Sequence, residues 1–269
     1  MADTSGTRRE RRAAARAERQ ERERAEAARA RQRKRLFQLG GAVALAAAII
    51  VVIVLATGGG DDGKPVKRAG ESVAGANDTA ALLAGIPQRG ITLGNPRAPV
   101  TLVEFGDLQC PYCKDASDNV LPAIIEDYVR DGRVKLVFRD VAFIGNDSIR
   151  GAQMASAAGL QDKLWDFVHL FYLNQGAENS GYVTDEFLRE IGGGVRGLDV
   201  ERAMADRSDP RVQREMAEAQ QEWQSYGLTG TPSFVVGRTG GELEVVDTDQ
   251  GITAQGLSEA IDRALAQQG

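Results

Sequence analysis

Apolar and polar positions divide the chain into one long uncharged run and a series of shorter periodic segments. From Leu36 to Thr57 no residue is charged, and the centre of this run consists of aliphatic residues and glycine. A helix needs about 20 apolar residues to cross the hydrocarbon layer of a membrane, so the run is long enough to span one. A buried core helix is the alternative, but no other segment of the chain approaches this length. The pattern predicts a single transmembrane helix at residues 36–57.

The residues that follow the apolar run are typical of a tether. Residues 58–90 begin Gly-Gly-Gly-Asp-Asp-Gly and continue with Gly, Ala, Ser and Pro. Such a composition favours a flexible linker. We therefore expect the folded domain to occupy residues 91–269.

The first half of that domain has the pattern of a βαβ unit. Val100 to Phe105 is a short, apolar, β-branched run that predicts a buried strand. A helical pattern follows from Cys110 to Arg130, and Val134 to Phe143 predicts the next strand. Strand, helix and strand within about forty residues are typical of α/β proteins.

The second half of the domain begins with helices and ends with a hairpin. Residues 147–226 show apolar stripes at helical spacing and predict an all-helical insertion. Two further strand-like runs, Ser233–Val236 and Glu242–Val246, are separated by a glycine-rich turn. A final amphipathic helix carries Leu257 and Ile261 on one face. The predicted order is βαβ, a helical block, then ββα.

Charge is distributed very unevenly along the chain. Residues 1–36 carry a net charge of +7, and the whole chain carries −5, so the remainder carries −12 by difference. A basic tail suggests nucleic acid as a partner, but acidic residues interrupt this tail, and its position before an apolar run offers a better explanation. The side of a membrane helix that is richer in Lys and Arg stays in the cytoplasm. We expect a cytoplasmic tail at residues 1–35, a catalytic domain on the outer side of the cell membrane, and no nucleic-acid binding.

A cleaved signal peptide is an alternative interpretation of the apolar run. The region before it is long, the run itself is long, and no clear small-x-small cleavage site follows it. These features favour an uncleaved anchor.

Two cysteines supply the candidate chemistry. Cys110 and Cys113 are the only cysteines of the chain, in the motif Cys110-Pro-Tyr-Cys113 at the predicted start of a helix. Unpaired N–H groups and the helix dipole stabilise a thiolate on the first cysteine. A lowered pKa makes such a thiol attack disulfides, or leave them, near neutral pH.

Two structural roles compete with this redox role. Tetrahedral zinc needs about four ligands, and His169 is the only histidine of the chain, so we expect no metal. A disulfide across so short a loop would stabilise the fold little. A Cys-x-x-Cys motif that follows a buried strand and opens a helix therefore indicates thiol–disulfide exchange.

Two other positions are candidates for the same site. Glu104 lies within the first apolar strand, where it either faces solvent or is buried with a raised pKa and shuttles a proton to the cysteines. Thr231-Pro232 precedes the strand that starts at Ser233. A proline there has no N–H to donate, and a cis bond is uncommon even before proline.

Two strings of residues together resemble the thioredoxin superfamily, and specifically its DsbA-like branch. They are Thr101-Leu-Val-Glu-Phe-Gly-Asp-Leu-Gln-Cys-Pro-Tyr-Cys113 and Gly230-Thr-Pro-Ser-Phe-Val-Val236. The resemblance covers residues 91–268 and implies a thioredoxin fold with a helical insertion, preceded here by one transmembrane helix.

The resemblance also implies roles for individual residues. Cys110 matches the nucleophile of the family, Cys113 the buried resolving cysteine and Glu104 the buried acid. Pro232 matches the cis-proline beside the redox pair, and Thr231 matches the residue whose backbone contacts the substrate. Pro111 and Tyr112 lie between the cysteines, where a substrate would also make contact.

One departure from the family bears on the direction of the reaction. The prototype oxidase has histidine between its cysteines, where this chain has Tyr112. The leading hypothesis is donation of disulfides to exported proteins, with isomerase or reductase activity as the alternative. A hypothesis of another class is a non-catalytic anchored binding or chaperone module, in which the cysteines would not be reactive.

The expected partners follow from this chemistry. Exported proteins that contain cysteine would be the substrates, and no cofactor is implied. Two cysteines alone cannot pass electrons onward, so a quinone-linked membrane oxidase is expected to reoxidise the pair. His169 is expected to be a packing residue of the helical block.

Overall fold

The computed structural model describes residues 73–248 and 251–267. The predicted cytoplasmic tail at 1–35, the transmembrane helix at 36–57 and the first part of the linker lie outside the described residues. Within 73–248 and 251–267, no helix combines the length and the apolar character that a membrane crossing requires.

After a first helix and two short strands, the elements follow the order that the sequence predicts, βαβ, a helical block and ββα. The helices are α1 (Ala76–Leu82), α2 (Pro111–Asp115), α3 (Leu121–Ile124), α4 (Asn146–Gly159), α5 (Leu164–Leu173), α6 (Asp185–Gly194), α7 (Val200–Asp206), α8 (Pro210–Ser225) and α9 (Ala254–Ala266). The strands are β1 (Gln88–Arg89), β2 (Thr92–Leu93), β3 (Val100–Gly106), β4 (Val134–Asp140), β5 (Ser233–Arg238) and β6 (Leu243–Val245). Wider, π-helical turns at Ala116–Val120 and Ile125–Val129 link α2 and α3 into one helical segment, 111–129.

A six-stranded sheet forms the centre of the domain, in the order β1-β2-β4-β3-β5-β6. Strands β3 and β4 are parallel, with segment 111–129 as their crossover, whereas β5 runs antiparallel to β3 and β6 antiparallel to β5. All seven residues of β3 are buried, as its continuous apolar run predicts. This is the thioredoxin-like α/β fold with a helical insertion that the sequence predicts.

The helical block packs on the sheet through aromatic side chains. Phe167 and Phe171 of α5 are fully buried, and the Trp165 ring contacts Phe138 of β4 edge-on at a centroid separation of 6.0 Å. The apolar stripe that predicts α5 is therefore its core-facing side.

The folded domain begins earlier than the composition indicates. The end of the expected linker, residues 73–90, contains helix α1 and strand β1. Leu83 and Ile86 of this segment join the main core, and the Arg130 side chain donates hydrogen bonds to the backbone oxygens of Leu82 and Ala84. Local composition does not reveal these long-range contacts, so the boundary at residue 91 differs from the structure.

Strand β4 is also shorter than its sequence pattern. The expected run to Phe143 stops at Asp140, because the Asp140 side chain accepts a hydrogen bond from the backbone N–H of Ala142 and closes a turn. Ala142 has a φ of 30°, which a strand does not allow.

His169 links the helical block to α1. Its Nδ1 lies 2.8 Å from the buried Thr79 hydroxyl, and burial lowers the pKa of the imidazole. The position agrees with the expected packing role.

We predict that His169→Ala lowers the free energy of unfolding by about 1–3 kcal/mol, because the buried Thr79 hydroxyl loses its partner. Urea denaturation measures the loss. Thr79→Val is the matched control, and the double variant should lose less than the sum of the two single variants. Unchanged stability in His169→Ala, or a large shift in the reduction potential of the cysteine pair, would contradict the packing role.

Candidate active site

The two cysteines lie where β3 turns into the helical segment 111–129. Asp107 follows the strand, and its carboxylate accepts a hydrogen bond from the Gln109 backbone N–H at 2.8 Å, which forms a tight turn. Cys110 is the N-cap residue in an extended conformation, and Pro111 occupies the first helical position. The predicted position of the motif after a buried strand and at a helix start is therefore the observed one.

Both cysteines are buried free thiols, but their pKa values are shifted in opposite directions. A hydrogen bond from the Cys113 thiol, helped by the backbone N–H groups of Tyr112 and Cys113, lowers the pKa of Cys110 to about 6 against the opposing effect of burial. Cys113 is completely buried, and this burial raises its pKa well above the usual range. Cys110 is thus suited to be the thiolate and Cys113 the protonated partner.

The segment Thr231–Pro232 lies beside Cys110. The Cys110 thiol donates to the backbone oxygen of Thr231 at 3.3 Å, and the Thr231–Pro232 peptide bond is cis, as the family resemblance implies. Pro232 is buried, whereas Tyr112 is 73% exposed beside the cysteines. The residues expected at the substrate contact, including the exposed Pro111, come together at this surface.

Glu104 is buried in the sheet beneath the cysteines. It pairs with Phe138 on one side and Phe234 on the other, and it is only 2% exposed. Burial, with a smaller contribution from the Cys110 thiolate, raises the pKa of Glu104 to about 8. Of the two positions that the sequence leaves open, the buried one is therefore correct.

The helical block positions the cysteine loop without contributing a group that touches either sulfur in the contacts described. The Gln175 side chain donates to the backbone oxygens of Leu108 and Cys110 at 2.8 and 3.1 Å. Lys114 reaches the backbone oxygen of Tyr172 at 2.7 Å. These contacts hold the start of the helix in place.

Sequence reasoning overlooked three polar residues below the cysteines. The carboxylate of Asp107 accepts four hydrogen bonds, from the backbone N–H groups of Gln109, Phe143 and Ile144 and from the Ser148 hydroxyl. Asp140 and Tyr172 are buried close by. Only the position of each aspartate at the end of a strand signals such a role, and Tyr172 carries no signal because it approaches from a distant helix.

An aromatic pair with one exposed ring was also overlooked. Phe143 stacks on Trp223 with the ring centroids 5.7 Å apart, and Phe143 is 48% exposed. The indole N–H of Trp223 is directed at the backbone oxygen of Gly230, next to the Thr231 that contacts Cys110. The pair therefore borders the cysteine surface.

Metal binding has no candidate within residues 73–248 and 251–267, where no group of three His, Cys, Asp or Glu side chains could hold an ion.

Comparison with known proteins agrees with this geometry. A thioredoxin family model matches residues 87–263. The "Probable disulfide bond formation protein D" of Bacillus cereus is 33% identical over 177 residues, which are 65% of this chain and 78% of that protein.

Two solved structures have the same fold. A thioredoxin-like oxidoreductase from Silicibacter pomeroyi is 31% identical with a TM-score of 0.54, covering 70% of this chain and 98% of that one. Oxidised BdbD from Bacillus subtilis, at 24% identity, superposes with a TM-score of 0.57 over 67% of this chain and 97% of its own. The chain belongs to the thioredoxin superfamily and is a protein disulfide oxidoreductase.

Proposed function

We propose that this oxidoreductase donates disulfides to exported proteins from the outer side of the cell membrane. The observation that carries the proposal is the position of Cys110 at the start of the helical segment, with Cys113 in the first turn, where its hydrogen bonds lower its pKa to about 6. A stabilised thiolate lowers the free energy of the dithiol form, and an enzyme with a stable dithiol form gives its disulfide away. The lowered pKa argues against a non-catalytic module, in which the cysteines would be unreactive.

The reaction would begin from the disulfide form. A client thiolate attacks Cys110 Sγ, so a client–Cys110 bond forms and the Cys110–Cys113 bond breaks. The electron pair of the broken bond goes to Cys113 Sγ, which takes a proton from Glu104. A second client thiolate then attacks the first client sulfur and displaces Cys110 as a thiolate. The client loses two electrons and the enzyme gains them.

The client would bind at the surface around Cys110. The Thr231 backbone and Pro232 offer a place for an extended peptide, and Pro111 and the exposed Tyr112 lie between the cysteines. The stacked Phe143 and Trp223 rings extend this surface with apolar area.

Tyr112 supports a moderate rather than an extreme oxidant. A phenol adds no positive charge beside the thiolate, whereas the histidine of the prototype can. In this chain, hydrogen bonds from the Cys113 thiol and from backbone N–H groups stabilise the Cys110 thiolate.

The sequence supports an anchored arrangement. The net charge of +7 in residues 1–36 and the uncharged run at 36–57 favour a cytoplasmic tail and an outer domain. Such an anchor would keep the cysteines near a quinone-linked membrane oxidase, the class of partner that can accept two electrons from the dithiol.

We predict that the alkylation rate of Cys110 has a midpoint near pH 6. Cys113→Ala should raise the midpoint toward the ~8.5 of a free thiol, because the Cys113 thiol is the main stabilising donor. Cys113→Ser keeps a hydroxyl donor and should stay closer to the native value. A native midpoint near 8.5 would contradict the thiolate assignment.

We predict a reduction potential of roughly −200 to −120 mV, between that of thioredoxin and those of the strongest oxidases. Equilibration with glutathione measures it, and the pair should be mainly oxidised in cells. A potential near −270 mV with a mainly reduced pair would identify a reductase instead.

We predict that protease added to intact spheroplasts digests the domain at 91–269, because the charge pattern favours an outer position for it. A cytoplasmic protein in the same sample should stay intact and become sensitive only when detergent is added. Protection of the domain before detergent is added would overturn the topology.

A further inference from the structure

Asp140 lies on the same face of the sheet as Glu104. In the parallel register Glu104 pairs with Phe138, and Gly106 pairs with Asp140. The two carboxyl residues are therefore diagonal neighbours, with Cβ atoms about 8 Å apart from the strand spacing and rise. Gly106 has no side chain between them, and the Phe138 ring and the Tyr172 hydroxyl lie over it, 2.8 and 3.1 Å from where a Cβ would be.

The hydrogen bonding of Asp140 is incomplete. Asp140 is 6% exposed, and its Oδ1 accepts one bond from the Ala142 N–H, at 3.2 Å. Its Oδ2 is buried without a partner, whereas the neighbouring Asp107 accepts four hydrogen bonds. The turn after β4 uses only Oδ1 of Asp140. A negative charge on Oδ2 would be buried and unpaired, which costs free energy. The environment therefore favours a protonated Asp140.

The ionisable groups around Asp140 also favour its protonated form. Glu104 faces it from β3, Asp107 from the loop after β3, and Tyr172 from α5. The adjacent Arg139 pairs with α8, through Glu215 at 2.5 Å, and alternation along β4 places it on the opposite face. Burial and the Asp107 carboxylate raise the pKa of Asp140 well above its usual range.

We propose that Asp140 is a second proton-holding group of the redox site, which holds a proton in the resting enzyme and exchanges it with Glu104. Cys113 then communicates with solvent through two carboxyl groups rather than one. Asp140 acts through Glu104 and is a positioning residue for the proton, without contact to the reacting sulfurs.

The proton transfers accompany the thiol–disulfide exchange of the proposed function, on which this inference rests. When the Cys110–Cys113 bond breaks, Cys113 Sγ takes a proton from Glu104. Glu104 regains a proton from Asp140, and Asp140, which keeps 6% of its surface exposed, regains one from water. Reoxidation runs the same transfers in reverse, and water is the only additional reactant.

Infrared spectroscopy of the full-length chain at pH 7 tests the resting state without any client. The carbonyl stretching region should show two protonated carboxyl groups. Glu104→Gln should remove one and leave the other, whereas Asp140→Asn should remove the second and keep the turn, because asparagine retains Oδ1. Asp147→Asn is the matched control, since Asp147 is 7% exposed and also accepts a backbone N–H, and it should leave both bands.

The rate at which dithiothreitol reduces the Cys110–Cys113 disulfide tests the transfer itself. Asp140→Asn should slow this step about tenfold, less than the 10²–10⁴ of a direct proton donor, because Glu104 remains. The double variant with Glu104→Gln should be no slower than Glu104→Gln alone.

Either of two results would overturn the inference. One is the absence of any protonated carboxyl band in Glu104→Gln, a variant in which Asp140 is unaltered. The other is an Asp140→Asn reduction rate equal to that of Asp147→Asn. A reduction potential near that of thioredoxin would overturn the proposed direction of electron flow but would change neither result.

Discussion

The redox site depends on a difference between two cysteines one helical turn apart. The fold stabilises the thiolate form of one and the protonated thiol form of the other. Cys110 starts the helical segment and is stabilised as a thiolate, so its pKa falls to about 6, whereas completely buried Cys113 keeps its proton. This difference requires a fixed helix start, which the Asp107 turn and the Gln175 side chain provide. It also requires a route for a proton to reach the buried Cys113 sulfur, and the proposed carriers are buried Glu104 and its diagonal neighbour Asp140, which lies nearer the end of the strands.

The thioredoxin-like core and the helical block have separate tasks in this arrangement. The core supplies both cysteines, Glu104 and the cis-proline segment, all at the end of the sheet where β3 and β4 stop. The helical block packs against the core through aromatic residues such as Phe171, and its Gln175 side chain donates to the backbone of the cysteine loop. His169 of the helical block forms a hydrogen bond with Thr79 of α1.

The sequence was sufficient for the parts of the site that depend on local order. A Cys-x-x-Cys motif after a buried strand, an acid within that strand and a Thr-Pro pair before a later strand are all visible as short patterns. The pattern alone does not decide whether Glu104 is buried, because alternation tells only which face of the sheet a residue takes. The second face of β3 is covered by segments that are distant in the sequence. Asp140, Tyr172 and helix α1 were missed for the same reason, since long-range contacts determine their environments.

The central claim is that the folded structure favours the dithiol form through the Cys110 thiolate. The most direct test is the free energy of unfolding of the dithiol and disulfide forms as a function of pH. A group whose pKa falls to about 6 in the folded state stabilises it fully above the unfolded pKa of ~8.5 and loses this effect as the pH falls toward 6. We predict that the dithiol form is the more stable one at pH 7 and that its advantage shrinks toward pH 6. A disulfide form that is more stable at pH 7, or a difference that does not vary with pH, would contradict it.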